Sequence, residues 1–223
     1  MAIYVASSWR NEFQPAVVKS LREAGAKEVY DFRNPPGKTG FSWSEVDPHW
    51  KGWGFQEFKA ALKHGRAVAG FDEDMKALRK AHVCILVLPC NRSAHLEAGY
   101  AIGAGKPTAI YIPRFEEAEL MYSAAPFITN GMNCLVNWAL TNEKEAMRNP
   151  PTAKAILERF LMDNGYEGLY GEDCGCTKDD LLPCESGVSQ YCQPGYLRPC
   201  DCGEHTDHIG PADEGKVEGG QFP

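Results

Sequence analysis

The run Val83-Cys84-Ile85-Leu86-Val87-Leu88, followed closely by Arg92-Ser93-Ala94-His95-Leu96-Glu97-Ala98-Gly99-Tyr100, decides the fold of this chain. A continuous apolar run of this length predicts a strand that is buried on both faces of a parallel sheet. The second stretch predicts a helix that is capped by Ser93, with Glu97 in its first turn. The positive end of a helix dipole favours an ionised carboxylate there. Glu97 therefore either complements the dipole or serves as a nucleophile at the edge of the sheet.

Strands and helices alternate along the first part of the chain. Strands are predicted at residues 3–7, 28–32, 82–88, 108–112 and 134–138, with helices at 15–24, around 58–62, and at 72–80, 93–105 and 116–122. This alternation predicts an α/β fold, with a doubly wound, Rossmann- or flavodoxin-like parallel sheet of about five strands. Ligands bind such sheets at the carboxyl ends of the strands, and the polar residues that map near this edge are Tyr4, Ser7, Asp31, Asp74 and Glu97.

Composition limits the possible partners. The 223 residues are 43% hydrophobic and 24% charged, as expected for a globular protein with one good core and an appendage. A net charge of −7 argues against a nucleic-acid polymer or an anionic membrane as the main partner. No signal peptide and no apolar run of about 20 residues is evident, so we expect a cytoplasmic protein. A nucleoside or nucleotide stays compatible, because a small anion needs only a local pocket.

A change in composition predicts a second unit. Of nine cysteines, Cys84, Cys90 and Cys134 are scattered and are expected to pack as small hydrophobes, whereas the other six crowd together near the C-terminus. We predict an α/β domain at residues 1–140, a helical linker at 141–168, a Cys-rich module at 169–210 and a disordered tail at 211–223. The tail is rich in Gly and acidic residues and has no hydrophobic set.

The Cys-rich module carries residues that are typical zinc ligands. They are Cys174, Cys176, Cys184, Cys192, Cys200, Cys202, His205 and His208. Six thiols and two imidazoles can supply one or two tetrahedral zinc sites. The alternative is a set of three disulfides, which a cytoplasmic setting disfavours. Because many thiolates would close the coordination sphere, we expect any zinc to be structural.

Three sequence elements occur together in the N-terminal part. They are Ile3-Tyr4-Val5-Ala6-Ser7-Ser8-Trp9, then Asp74 before the central strand, and Leu96-Glu97-Ala98-Gly99-Tyr100-Ala101 after it. In this combination the chain resembles the nucleoside 2-deoxyribosyltransferases and their relatives, the deoxynucleoside monophosphate N-glycosidases, over roughly residues 1–125. The resemblance implies that Glu97 attacks the anomeric carbon of deoxyribose, that Tyr4 orients it, and that Asp74 handles the proton on the base. It also implies a homo-oligomer and chemistry that requires no metal.

These residue types suit the chemistry of N-glycosidic bonds. Cleavage leaves positive charge on the sugar, which a carboxylate stabilises or traps as a glycosyl ester, while a second carboxyl group protonates the departing base. Retaining glycosidases place such a pair about 5 Å apart. We expect the helix terminus to keep Glu97 ionised and burial to keep Asp74 protonated. Asp72 is an alternative acid, although an Asp at a helix start is more often an N-cap.

The substrate class stays open because the chain departs from the family pattern at two places. Asn91 stands where the transferases have an Asp that contacts the sugar and the hydrolases a Ser that contacts phosphate. Arg92 and Ser93, which follow, are able to bind an anion. Glu119 stands near the position of an Asn that the transferases present from a neighbouring subunit. The substrate is therefore either a deoxynucleoside or its 5′-monophosphate, with a free base as a possible second substrate.

Further candidates surround the expected pocket. Ser7 and Trp9 belong to the N-terminal motif, and Asp31 and Arg33 follow the second strand, where they could reach the edge of a base. Trp43 opens a segment with three tryptophans in eleven residues, which either stack on a base or cover the sheet. His95 is interpreted as a surface residue rather than a second acid.

Two other functions are compatible with the sequence. One is a nucleotide sensor or scaffold whose Cys-rich module docks a partner. The other is a glycosidase acting on a dinucleotide such as NAD, which would need a roomier pocket. The presence of Glu97, Asp74 and Tyr4 together favours the enzyme, because a sensor has no need of two carboxyl groups. Transfer and hydrolysis differ only in whether a base or water accepts the glycosyl group.

Overall fold

The structure, a computed structural model, describes residues 2–37, 39–148, 152–171, 174–181, 192–199 and 207–211. The chain divides into two compact units, Met1–Asn149 and Pro150–Pro223. The boundary that the sequence predicts at residue 140 falls inside a helix. Most of the predicted tail, residues 212–223, lies outside the described residues, as do Cys184, Cys200, Cys202 and His205.

The first unit is an α/β sandwich around a five-stranded parallel sheet. Its elements are β1 (Ile3–Ala6), α1 (Gln14–Glu23), β2 (Val29–Asp31), α2 (Phe55–Ala61), α3 (Gly65–Lys80), β3 (Val83–Val87), α4 (Arg92–Gly103), β4 (Thr108–Tyr111), β5 (Phe127–Thr129) and α5 (Met132–Arg148). The strand order β2-β1-β3-β4-β5, with every pairing parallel, is flavodoxin-like. This confirms the predicted fold class.

Alternation along β1 separates two apolar layers. Ile3 and Val5 point to the face that α1 and α5 cover, whereas Tyr4 and Ala6 point to the face that α3 and α4 cover. All residues of β3 are buried, as its continuous apolar sequence predicted. Tyr4 therefore lies under the two helices that carry Asp74 and Glu97.

The predicted strand at residues 134–138 is wrong, because that segment belongs to α5. The apolar sequence there resembles a strand over five residues. Over the longer segment, Leu135, Ala139 and Glu143 recur at a spacing of four, as on one face of a helix, and all three are buried. The fifth strand is β5, which lies just before this helix.

Three helix boundaries also differ from expectation. Helix α4 begins at Arg92 with Asn91 as its N-cap, so Ser93 is not the cap and Glu97 lies in the second turn. Helix α3 begins at Gly65, which places Asp72 within the helix rather than at its start. The segment expected to be helical at residues 116–122 contains a short 3-10 turn, Leu120–Ala124.

The second unit consists of a helix and a small antiparallel sheet. Its elements are α6 (Ala153–Asp163), β6 (Gly168–Tyr170), β7 (Gly175–Thr177), β8 (Gln193–Pro199) and β9 (Asp207–Gly210), in the strand order β7-β6-β8-β9. Its core contains Leu161, Leu169 and Leu181, against which Cys176 and Cys192 pack. Across the described parts of both units, no helix is long and apolar enough to cross a membrane.

Candidate active site

Two stacked tyrosines form the floor of the candidate site. Tyr4 of β1 and Tyr30 of β2 are partners in the parallel register, and their ring centroids are 5.2 Å apart at an interplanar angle of 15°. The Tyr30 hydroxyl donates a 2.7 Å hydrogen bond to Oδ1 of Asp74 on α3. The Tyr4 hydroxyl is buried and has no partner at hydrogen-bonding distance and angle among the residues that the structure describes. Of the two phenols in the floor, that of Tyr30 is hydrogen-bonded and that of Tyr4 is not, within the described part of the chain.

Glu97 of α4 is the second carboxyl group of the site. Burial raises its pKa to about 8, the negative charge of Asp74 adds to this effect, and the Tyr4 hydroxyl opposes it. The sequence predicts that the helix dipole keeps Glu97 ionised, whereas burial raises the pKa of this carboxyl group instead. The reason is position, because a residue in the second turn lies beyond the region where the dipole is strongest, while the surrounding apolar groups remove water.

Asp74 is partly buried, and burial raises its pKa as the sequence analysis expected. The hydrogen bond from Tyr30 and the positive charge of Arg66 on the same helix act in the opposite direction. Because the two carboxyl groups interact, their protons belong to the pair rather than to either residue. Because burial raises the pKa of both carboxyl groups, the pair holds a proton to a higher pH than exposed carboxyl groups do.

The two phenols are held in their neutral form. Burial and the nearby carboxylates raise the pKa of Tyr4 and of Tyr30 well above the usual range. Both hydroxyls are therefore available as hydrogen-bond donors at every working pH. The structure thus brings together Tyr4, Asp74 and Glu97, the three residues that the sequence selected.

Comparison with known proteins gives a distant match. One solved structure similar to this chain is a 2-deoxyribosyltransferase from Bacillus psychrosaccharolyticus, with 21% identity and a TM-score of 0.44, over 61% of this chain and 91% of that chain. No family model and no curated protein matches this chain. At this distance the match does not assign an activity.

An aromatic cluster lies against the helix that carries Asp74. Trp43 contacts Phe41, Trp53 and Phe58 with ring centroids 4.9, 5.6 and 6.1 Å away, all at steep angles. Phe41 packs against Gly70 of α3, where a Cβ atom would come within 2.9 Å of it. Arg66 lies 5.3 Å from the centre of the Phe41 ring. Since residues 66, 70 and 74 follow one another at a spacing of four, the cluster and Asp74 share one face of α3.

Several predicted substrate ligands are already used in internal hydrogen bonds. Asp31 is buried, and its carboxylate accepts hydrogen bonds from the Gln14 side chain, the Arg33 amide and the Asn34 side chain. The guanidinium group of Arg33 donates to two backbone carbonyls, and the hydroxyl of Ser7 donates to that of Val87. These contacts hold the loops that follow β1 and β2. The side chains of Asp31, Arg33 and Ser7 therefore stabilise the loops at the edge of the site.

The remaining candidates lie toward the surface. Trp9 is half exposed and contacts the edge of Phe32. Asn91, Arg92 and Ser93 are exposed at the start of α4, and Glu119 is exposed just before the 3-10 turn. They lie at the outer part of the sheet edge where the strands end, rather than beside Glu97 and Asp74.

His95 is an exposed residue, but it is not isolated. Its Nε2 is 2.9 Å from the Tyr122 hydroxyl, the two rings stack, and its Nδ1 is 3.5 Å from Sγ of Cys90. Glu97 follows two positions later, on a different side of α4. His95 therefore links α4 to the segment between β4 and β5.

The cysteines of the second unit occupy two environments. Cys176 and Cys192 pack on its leucine core, while Cys174 and His208 line a cavity of about 800 Å³. Among the described residues, no three His, Cys, Asp or Glu side chains form a group suited to holding a metal ion. Half of the predicted ligand set lies outside those residues, so zinc stays a prediction.

Sequence reasoning missed Tyr30. Its role depends on its pairing with Tyr4, which is known only once β2 is placed beside β1. The sequence alone gives no register between the two strands, so it does not show that the two tyrosines are neighbours on one face. The effect of Arg66 on the pKa of Asp74 was also missed, because the sequence places the start of α3 at residue 72 rather than at Gly65.

Proposed function

We propose that this protein cleaves or transfers the N-glycosidic bond of a 2′-deoxynucleoside or its 5′-monophosphate through a covalent bond to Glu97. The observation that carries the proposal is the pair of partly buried carboxyl groups, Glu97 and Asp74, on the adjacent helices α4 and α3, with stacked tyrosines beneath them. Such a pair, with its pKa values raised and one proton retained, is suited to combined nucleophilic and acid catalysis.

In the first step, ionised Glu97 attacks the anomeric carbon as the bond to the base breaks. The proton of the pair resides on Asp74 and passes to the departing base, so the base leaves neutral. As Glu97 ionises, the nearby Tyr4 hydroxyl, which has no other hydrogen-bond partner among the described residues, donates to it and favours its charged form. The product is a glycosyl ester of Glu97 and a free base, with Asp74 ionised.

In the second step, the acceptor attacks the anomeric carbon of the glycosyl ester, and the bond between that carbon and the Glu97 carboxylate breaks, which releases Glu97. Asp74 takes the proton of that acceptor, which is water in hydrolysis and a second base in transfer. The same residues serve both reactions, so the distinction depends on which acceptor reaches the ester first. Neither step needs a metal ion.

The test is a survey of substrates. The protein is incubated with each deoxynucleoside and each deoxynucleoside monophosphate, with and without a second free base, and the products are separated by chromatography. We expect free base or exchanged nucleoside from the wild type and neither from Glu97→Ala. Glu116→Ala, which removes an exposed carboxylate elsewhere, should retain activity.

Trapping the intermediate gives a second readout. Intact-mass spectrometry of a quenched reaction should show wild-type protein heavier by one deoxyribosyl or phosphodeoxyribosyl group, and no such adduct on Glu97→Ala. Base release by folded Glu97→Ala at the wild-type rate would contradict the proposal. Tight substrate binding without any product would favour the nucleotide sensor instead.

A further inference from the structure

We infer that Tyr30 is a positioning residue for Asp74, and that it fixes which carboxyl oxygen of Asp74 carries the proton that reaches the base. This inference rests on the proposed function. It concerns a residue that touches the acid rather than the substrate.

The first support is the hydrogen bond itself. The Tyr30 hydroxyl lies 2.7 Å from Oδ1 of Asp74, a distance typical of a bond from a hydroxyl to a carboxylate. A phenol that stays neutral is a donor to Oδ1 throughout the working pH range. Oδ1 is thereby occupied as an acceptor, so a proton on the carboxyl group resides on Oδ2. Oδ2 is then the oxygen left to face a leaving group.

The second support is the rigidity of the donor. The ring of Tyr30 is stacked on that of Tyr4 and belongs to the same apolar layer as Leu78 and Leu86. Tyr4 and Tyr30 are also bound through the strand register, so neither phenol can move along the sheet without breaking backbone pairing. Asp74 lies in the middle of the sixteen-residue helix α3. Both ends of the hydrogen bond are therefore on regular elements.

The third support is that each of the two stacked tyrosines interacts with a different carboxyl group. Tyr4 interacts with Glu97 and Tyr30 with Asp74, so each carboxyl group has its own phenol. The charged and titratable groups that face Asp74 are Tyr30 from β2, Tyr4 from β1, Glu97 from α4, and Glu73 and Arg66 from α3. Among them Tyr30 is the group that donates a hydrogen bond to Asp74 in the described part of the chain. Its hydroxyl favours the ionised form of Asp74 and so makes it a stronger acid.

The test is Tyr30→Phe, which keeps the stacked ring and removes the hydroxyl. Tyr111→Phe is the matched control, because Tyr111 is a buried tyrosine on the opposite face of the sheet. We expect kcat of Tyr30→Phe to fall by about 10- to 100-fold, a loss typical of a misplaced group, with little change in KM. The fall should be larger for bases that leave poorly, and Tyr111→Phe should behave as the wild type.

The pH profile separates positioning from a general loss of structure. Activity needs a proton on Asp74 and falls as pH rises through the pKa at which the pair loses it. Removing the hydrogen bond raises the pKa of Asp74, so the alkaline limb of Tyr30→Phe should move to higher pH. NMR titration of ¹³C-labelled Asp, with Asp74→Asn to assign the signal, should show the same upward change without any turnover.

The outcomes are distinguishable. If the wild type releases base and Tyr30→Phe keeps both the wild-type rate and the wild-type alkaline limb, the role of Tyr30 is overturned and the proposed function stands. A lower rate with an unmoved limb and an unmoved Asp74 signal also overturns it, since that is the pattern of a structural defect. If the wild type releases no base from any substrate, the proposed function fails and the role of Tyr30 in it fails as well.

Discussion

The two units of this chain differ in what their interiors contain. The first buries an apolar layer on each face of its sheet and partly buries the carboxyl groups of Glu97 and Asp74. In the described part of the second, the core contains Leu161, Leu169 and Leu181, with Cys176 and Cys192 packed against them. A large core can tolerate buried polar groups that reduce stability, whereas so small a core can hardly offset its own ordering entropy of about 1–2 kcal/mol per residue. The first unit can therefore tolerate the loss of stability that its carboxyl groups cause, whereas we propose that the second is stabilised by a cross-link.

The largest expected effect follows from that need. We propose that the second unit binds one or two zinc ions through its Cys and His residues, because a site absent from the unfolded chain converts binding energy into folding energy, about 10–16 kcal/mol in small zinc modules. Chelation should make residues 150–223 sensitive to protease while the first unit stays folded. Elemental analysis before and after chelation, with limited proteolysis and mass spectrometry, checks this.

A matched pair of variants shows whether the zinc is bound by the cysteines of the second unit. Cys174→Ser should lower the zinc content, whereas Cys84→Ser, at a buried cysteine of β3, should leave it unchanged. The contrary result is protein from a reducing host with three intact disulfides and no metal. It would contradict the zinc proposal, and the contrast between the two units would then not rest on a metal ion.

The next effect tests the acid of the first unit. Asp74→Asn keeps the shape of the side chain but cannot donate a proton to the base, so base release should fall by about 10²- to 10⁴-fold. Activated leaving groups, which depart without protonation, should lose much less. The rates are measured by chromatography of the free base. Asp72→Asn, at an exposed position of the same helix, should retain activity, and an equal loss in both variants would contradict the assignment.

The parts of the fold that were predicted correctly have a local signal. A continuous apolar run is sufficient to place β3, and the residues after it are sufficient to place Glu97 on the helix that follows. The strand predicted at residues 134–138 failed because a five-residue window cannot distinguish a strand from one side of α5. Helix starts failed because Ser93 and Asp72 resemble caps in sequence, while the caps in the structure are Asn91 and His64.

The site was predicted only in part, because its electrostatics are not local. The sequence places Glu97 near a helix start, but the pKa of Glu97 depends on how much water the packed helices exclude and on the distance to Asp74. Tyr30 acts through its stack on Tyr4, which requires the strand order. Residues that act through a partner on another element leave little trace in a single sequence.

A smaller effect concerns the stability that the first unit loses to its carboxyl pair. The pKa of Glu97 is raised from 4.5 to about 8, so the folded state holds its proton more tightly than the unfolded state does. This contribution is complete below about pH 4.5 and declines as pH rises to about 8. Glu97→Gln, which stays neutral, should therefore be more stable than the wild type at pH 9, by up to about 5 kcal/mol.

Urea unfolding of both proteins, at a pH below 4.5 and at pH 9, checks the sign of this change. The two stabilities should be similar at the lower pH and diverge at the higher one. Asp74, Tyr4, Cys84 and Cys90 also interact with Glu97, and they remain in both proteins. Equal stability at pH 9 would show that the first unit does not lose stability to this buried charge.

The smallest effect concerns apolar surface that the first unit leaves uncovered. Leu120 and Met121 are 84% and 76% exposed in the 3-10 turn between β4 and β5. We propose that a second copy of the chain covers them, as the resemblance to an oligomeric family implies. Leu120→Asp should lower the mass measured by sedimentation, whereas Leu62→Asp, at another exposed leucine, should not. A monomeric and fully active wild type would contradict this.

Because Tyr4 and Tyr30 are partners in the parallel register, the distance between their two phenols can change only in steps of whole residues. Parallel strands pair in whole residues, so one phenol cannot shift gradually against the other. Moving either tyrosine by one position would turn it to the opposite face of the sheet, and moving it by two would displace it by nearly 7 Å. An engineer who transplants this chemistry would therefore need to carry over the two strands together with α3 and α4, since the strands fix the distance between the phenols and the helices carry the two carboxyl groups.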